Sequence, residues 1–219
     1  MTSRAQPRTE GATAFLKQFV KRRQPEEQCE LCGQAVTPIH EHLLELATRR
    51  LLCSCGACAV LFSGQAVTKF RRVPRRKLAM PCFLMSDTNW ESLNIPINMA
   101  FFYTNSAKQR VEVIYPSPAG ATEALLAQEA WAEIVAANPV ISTLDPDVEA
   151  LLVNRVGYAR EARRAEYFVV PIDECFKLVG LIRLYWKGFS GGNEVWLEIG
   201  KFFRELNEQA QVIQGSVHA

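Results

Sequence analysis

Two Cys-x-x-Cys pairs, Cys29/Cys32 and Cys55/Cys58, constrain what this chain can fold into more than any other feature. Two thiolates separated by two residues can grip one ion from a single tight turn, and the amides of that turn point at the sulfurs and stabilise their charge. Gly33 follows the first pair, where such a turn needs a positive φ, and Gly56 lies inside the second. The 22 residues between Cys32 and Cys55 come close to the spacing of a four-cysteine zinc site. They are enough for a hairpin with Leu43 to Leu46 and Arg50 to Cys53 as its arms. The expectation is a zinc-ribbon or rubredoxin-like module in which Cys29, Cys32, Cys55 and Cys58 hold one ion. Zinc is the default, because soft thiolates favour it and structural sites are closed and tetrahedral. Iron uses the same four sulfurs, so spacing does not separate the two.

Three further candidate ligands lie in the same segment. Cys53 and Cys55 stand at i and i+2, which on a strand puts both on one side. Cys53 is then a ligand in place of Cys55 or Cys58, a thiol behind the site, or part of a cluster. The expectation keeps Cys55 and Cys58 as ligands and Cys53 as a spare. His40 and His42 are a second i, i+2 pair between the two knuckles. Either one of them approaches the metal, or the pair forms an auxiliary site, or both are surface histidines on a hairpin strand. The last reading is the simplest.

Cysteine usage supports a metal over disulfides. Seven is an odd number, five of the seven fall between Cys29 and Cys58, and the polar start from Met1 to Glu10 has no apolar run of the secretory type. A cytoplasmic location is expected. No apolar stretch reaches the length of a membrane span. Hydrophobic residues at 48% are enough for a core without covalent bridges. The net charge of +2 hides a split: residues 1–80 carry 14 Lys/Arg against 6 Asp/Glu, and residues 81–219 carry 11 against 17. The two parts therefore have different partners or attract each other. The run from Lys69 to Lys77 holds six basic residues in nine. It reads as a solvated linker, a docking patch for the acidic C-terminal part or a partner, or, less well supported, a phosphate-contacting patch beside a zinc ribbon. Beyond Phe70 it has no interleaved aromatics for stacking on bases.

Periodicity divides the chain into a helix and linker over 1–25, the metal module over 26–65, an α+β domain over 80–206 and a polar tail over 207–219. Residues 12–23 carry an amphipathic helical pattern. Ile97 to Tyr103 and Arg110 to Tyr115 suggest an antiparallel hairpin, ended by Pro116 to Gly120. Helices are expected over Thr122–Ala137, with Thr122 as N-cap, and over Leu144–Arg155, opened by Asp145-Pro146. Glu166 to Val170 reads as a strand. A helix from Asp173 to about Lys187 looks apolar almost all round, with Gly180 weakening it, and an amphipathic helix over Glu194–Leu206 closes the domain. Trp186, Phe189 and Trp196 are expected to pack at the glycine turn between these helices. Cys82 and Cys175, flanked by apolar residues, read as core thiols.

No phosphate loop, dinucleotide fingerprint or convincing carboxylate pair occurs, and no catalytic residue is nominated. Gly188-Phe189-Ser190-Gly191-Gly192 formally matches a nucleophile elbow, but that elbow needs a preceding strand, and a helix precedes it here.

Several segments together resemble a bacterial family without an assigned reaction, often encoded beside nickel–iron hydrogenase genes. They are Cys29-Glu30-Leu31-Cys32, His40-Glu41-His42-Leu43, Leu51 to Cys58, Tyr115 to Glu123, Asp147 to Leu152 and Trp186 to Gly192. The resemblance implies an accessory factor that docks on a hydrogenase subunit during assembly, with the cysteines as presumed ligands. The alternatives are a rubredoxin-like electron-transfer protein and a zinc-ribbon nucleic-acid-binding protein.

Overall fold

The computed structural model describes residues 27–63, 69–156 and 164–213. The helix expected over 12–23 and the end of the tail lie outside them. The fold class is α+β, with one small and one large sheet.

The small sheet is antiparallel, in the order β2-β1-β3, from β1 (Glu41–Glu45), β2 (Arg50–Ser54) and β3 (Phe70–Arg72). The second hairpin arm starts where the sequence places it, whereas the first begins two residues before the expected Leu43 and ends before Leu46. Arg49 turns the corner between them at φ 60. Helix α1 (Gly56–Ser63) follows β2 after a single residue.

The large sheet has the order β10-β4-β9-β8-β5-β6-β7. Its strands are β4 (Leu78–Ala79), β5 (Met99–Asn105), β6 (Arg110–Ser117), β7 (Gly120–Ala124), β8 (Glu149–Asn154), β9 (Glu166–Pro171) and β10 (Gln211–Val212). All neighbours are antiparallel except β10 and β4. Helices α2 (Asp87–Ser92) and α3 (Gln128–Ala137) contribute to one core, and α4 (Ile172–Tyr185) and α5 (Gly192–Gln209) to another. Alternate residues of the central strands divide between the two. Phe101, Leu152 and Phe168 join Leu178, Ile182 and Phe203 of the α4/α5 core. Phe102, Leu151 and Val169 join Trp90 and Trp131 of the other, where Trp131 stacks on Phe102 with ring centroids 4.6 Å apart. Leu44 of β1 and Val73, just past β3, belong to the α4/α5 core, so the small sheet is rooted in the large one's packing.

Several expectations are corrected. The helix expected over Leu144–Arg155 is strand β8, every residue of which is buried. A strand covered on both faces loses the polar alternation that marks strands, and Asp145-Pro146 imitates a helix start. Thr122 caps no helix: it lies in β7 opposite Tyr115, with its hydroxyl 3.0 Å from that of Ser117. Pro116 does not end β6, which continues to Ser117. Helix α4 is not apolar all round. Leu184 is exposed, Gly180 leaves the helix unbroken, and the apolar contacts come from Ile172, Cys175, Leu178, Val179 and Ile182. Phe189 is fully exposed, whereas Trp186 and Trp196 do meet edge to face. Cys82 is exposed, while Cys175 is the core thiol it was expected to be. Part of the expected polar tail extends α5 to Gln209 and then forms β10.

The basic run is neither linker nor free patch. Part of it is β3, and its cations meet carboxylates. Arg76 grips the fully buried Glu149 with both ends of its guanidinium, at 2.5 and 2.6 Å. Lys77 reaches Glu174 at 2.6 Å, Arg71 lies 3.7 Å from the buried Asp147, and Arg72 and Arg75 flank Glu41. Arg49 adds a 2.6 Å bond to Asp147. The two oppositely charged parts of the sequence do attract each other.

Candidate metal centre

The first knuckle is built by backbone geometry. The Gly33 amide donates to Cys29 O at 2.8 Å, Gly33 takes φ 75, and the Cys29 amide donates to Gln34 O at 2.8 Å. That turn is stitched to the hairpin where the Glu30 amide donates to Cys53 O at 2.9 Å. The second pair is presented differently from the two matching hairpin knuckles a ribbon would have. Cys55 precedes α1 and Cys58 lies in its first turn, with the Cys58 amide donating to Cys55 Sγ at 3.5 Å. A helix N-terminus supplies unpaired amides and a positive dipole end, both of which favour thiolates.

The ligand atoms of Cys29, Cys32, Cys55 and Cys58 all lie within 4.8 Å of one another. Cys32 Sγ and Cys55 Sγ are 3.8 Å apart. A regular tetrahedron with metal–sulfur bonds of about 2.3 Å has edges of about 3.8 Å, so this separation fits thiolate ligands of one ion. It is far beyond the roughly 2.05 Å of a disulfide. Cys29 and Cys58 are buried, Cys55 is half-buried and Cys32 is exposed, so the site sits at the surface with its inner half closed.

The thiols of the group differ in how readily they ionise. Burial pushes the Cys29 thiol up, but the backbone amides of Cys55, Leu31 and Cys32 outweigh it and hold the group at about 6. Burial and then the sulfurs of Cys32, Cys55 and Cys29 push Cys58 up to about 12. Backbone amides favour the thiolate at Cys29, whereas burial first, and then the neighbouring sulfurs, disfavour it at Cys58. A bound cation removes that conflict, because thiolate ligation and deprotonation go together.

The remaining candidates form a group of their own. Cys53 lies directly across the hairpin from His42, and the ligand atoms of His40, His42 and Cys53 fall within 4.8 Å of one another. The i, i+2 rule does not carry from Cys53 to Cys55, because β2 ends at Ser54 and the chain turns into α1. Sequence reasoning missed Asp173, in the first turn of α4, whose Oδ2 lies 2.7 Å from His42 Nδ1. That hydrogen bond raises the imidazole above its usual value against the opposing effect of burial. Nothing in the sequence links positions 131 residues apart. Also unforeseen is a cleft lined largely by apolar side chains, including Tyr115, Pro116, Pro118, Ile182, Trp186 and Trp196. Two of the segments that carry the resemblance meet there. Ser190 lies between α4 and α5, not after a strand, so the elbow geometry is absent at that serine.

Among the described residues, no helix is long and apolar enough to cross a membrane. A family model described as a family of unknown function (DUF5947) matches residues 28–210, which takes in all seven candidate ligands. No curated protein and no solved structure matches the chain.

Proposed function

We propose, for a chain that belongs to the DUF5947 family of unknown function, a metal-binding accessory role in which Cys29, Cys32, Cys55 and Cys58 hold one zinc ion and the α+β scaffold offers surfaces to a protein partner. The observation that carries the metal reading is the convergence of four sulfurs from two separate knuckles, with Cys32 and Cys55 at tetrahedral-edge distance. All four positions around the ion are filled by protein, as in structural zinc sites, so the ion would organise the module and not a reaction.

Docking is supported by apolar side chains held out of the core. Val60 and Leu61 are exposed on α1, beside the second knuckle. Leu184, Phe189 and Leu197 are exposed around the α4–α5 turn. Grouped exposure of this kind is typical of interaction surfaces. The partner class follows from the resemblance alone: a nickel–iron hydrogenase subunit during assembly. The basic run favours a protein partner over nucleic acid, because Arg71, Arg72, Arg75, Arg76 and Lys77 already face carboxylates of this chain.

Elemental analysis and a visible spectrum of protein purified without air test the metal. Colourless protein with at least one zinc ion per chain is expected. A red protein that bleaches on reduction would replace zinc with rubredoxin-like iron, the second reading, which the exposure of Cys32 favours as a route for electrons. Co-purification with hydrogenase subunits tests the partner, and persistent failure in cells that express them removes it.

A further inference from the structure

The cluster beside the four-cysteine group has the features of a ligand set in its own right. His40 is 7% exposed as a side chain, and its Nε2 is buried without a hydrogen-bond partner among the described residues. A buried polar atom left unpaired is destabilising, so an orphan of this kind calls for an explanation. The tautomers supply one. His40 Nδ1 lies 2.8 Å from the carbonyl oxygen of Thr37, and a carbonyl only accepts, so Nδ1 carries the proton and Nε2 presents its lone pair. His42, less buried, has its Nδ1 supported in the same way, by Asp173 at 2.7 Å, which leaves Nε2 as the nitrogen available to an ion. A carboxylate or carbonyl behind the far nitrogen is the usual support of a metal-bound histidine. The two rings stand edge to face with centroids 4.8 Å apart, and the hairpin register places Cys53 opposite His42. His40 also lines an open cleft with Ile39, Ser54 and Arg75, which gives an ion a way in.

We propose that His40, His42 and Cys53 form a second metal site, separate from the four-cysteine site, that takes a borderline-soft divalent transition ion through two imidazole nitrogens and one thiolate. Two nitrogens and one sulfur suit zinc, cobalt or copper and exclude magnesium and calcium, which take oxygen. With three protein ligands, a fourth position is left for water or an incoming ligand, so this ion exchanges where the tetrathiolate ion does not. Asp173 is a positioning residue that orients His42 without touching the ion. The site stands on its own geometry and survives if the neighbouring one is assigned wrongly.

Titration of metal-free protein with cobalt(II), without air, tests this. The wild type is expected to take up two ions per chain. Cys53→Ala and the double variant His40→Ala/His42→Ala should each take up one and keep the tetrathiolate absorption, which also shows that the module has folded. If Cys53→Ala loses both ions, the double variant decides by the same count. Asp173→Asn leaves every ligand in place and should weaken uptake of the second ion by about 10–100-fold. One cobalt per wild-type chain, or two in Cys53→Ala, overturns the proposal. A wild type that binds cobalt without a tetrathiolate spectrum overturns the four-cysteine reading instead.

Discussion

The two sheets of this molecule are held together by different means. The central strands of the large sheet are buried on both faces and place Phe101 and Phe102 in opposite cores. The small sheet buries little: Leu43, Leu44 and Leu52 from its strands, with Cys29, Cys58 and Ala59 beside them. A three-stranded sheet and an eight-residue helix with so few buried apolar side chains gain little from burial beyond what Leu44 and Val73 add to the α4/α5 core. Heteroatom links supply the rest: the His42–Asp173 bond, the arginine–carboxylate pairs and, on the proposed reading, an ion held by the four sulfurs. The large sheet follows the area rule of hydrophobic burial, whereas the small one depends on a few bonds that chemistry can remove.

Metal removal should separate the two most sharply. Structural zinc stabilises zinc-finger peptides by about 10–16 kcal/mol. A strong chelator is expected to release the amides of β1 and β2 to rapid hydrogen exchange while β8 stays protected; equal loss in both sheets would erase the distinction. Within the large sheet, Phe102→Ala should cost about 4 kcal/mol in urea unfolding, because it removes a stacked, fully buried ring. At the seam between the sheets, Arg76→Ala strands the buried Glu149 charge and should cost about 3 kcal/mol; adding Glu149→Gln should recover much of the loss.

Acid probes the far side of the large sheet. Burial alone would raise Glu112, but hydrogen bonds from Asn105, Lys108 and Tyr103 hold it at about 2. A carboxyl held below its unfolded value stabilises the fold above that value. This contribution, about 2–3 kcal/mol, should therefore disappear as pH falls from about 5 toward 2, and Glu112→Gln should flatten that part of the stability profile. The smallest effect belongs to Arg50→Ala. Its exposed pair with Glu30 should contribute about 0.5 kcal/mol, measured with metal bound.

What the sequence disclosed follows the same division. The four cysteines were legible because the spacing of each knuckle is local and its chemistry narrow. The β1–β2 hairpin was legible from the length of chain between the two cysteine pairs, and the β5–β6 hairpin from two β-rich runs flanking turn-prone residues. Strand β8 was hidden because burial on both faces left it an unbroken apolar run. The grouping of Cys53 with His40 and His42 depends on hairpin register and on where β2 ends, which composition does not reveal. Asp173 and Glu149 acquire their partners only when the acidic half closes on the basic one.

The parallel pairing of β10 with β4 bears on how the molecule is made. Residues 78–79 lie in the sheet between 168–169 and 211–212, so that edge stays incomplete until nearly the whole described chain has left the ribosome. Both cysteine knuckles and the β1–β2 hairpin precede β4 in the chain. Short-range contacts close faster than distant ones. The thiolates are thus available to an ion well before the strands that flank β4 have been synthesised, and metal capture during translation would give the later, slower sheet a folded neighbour to build against.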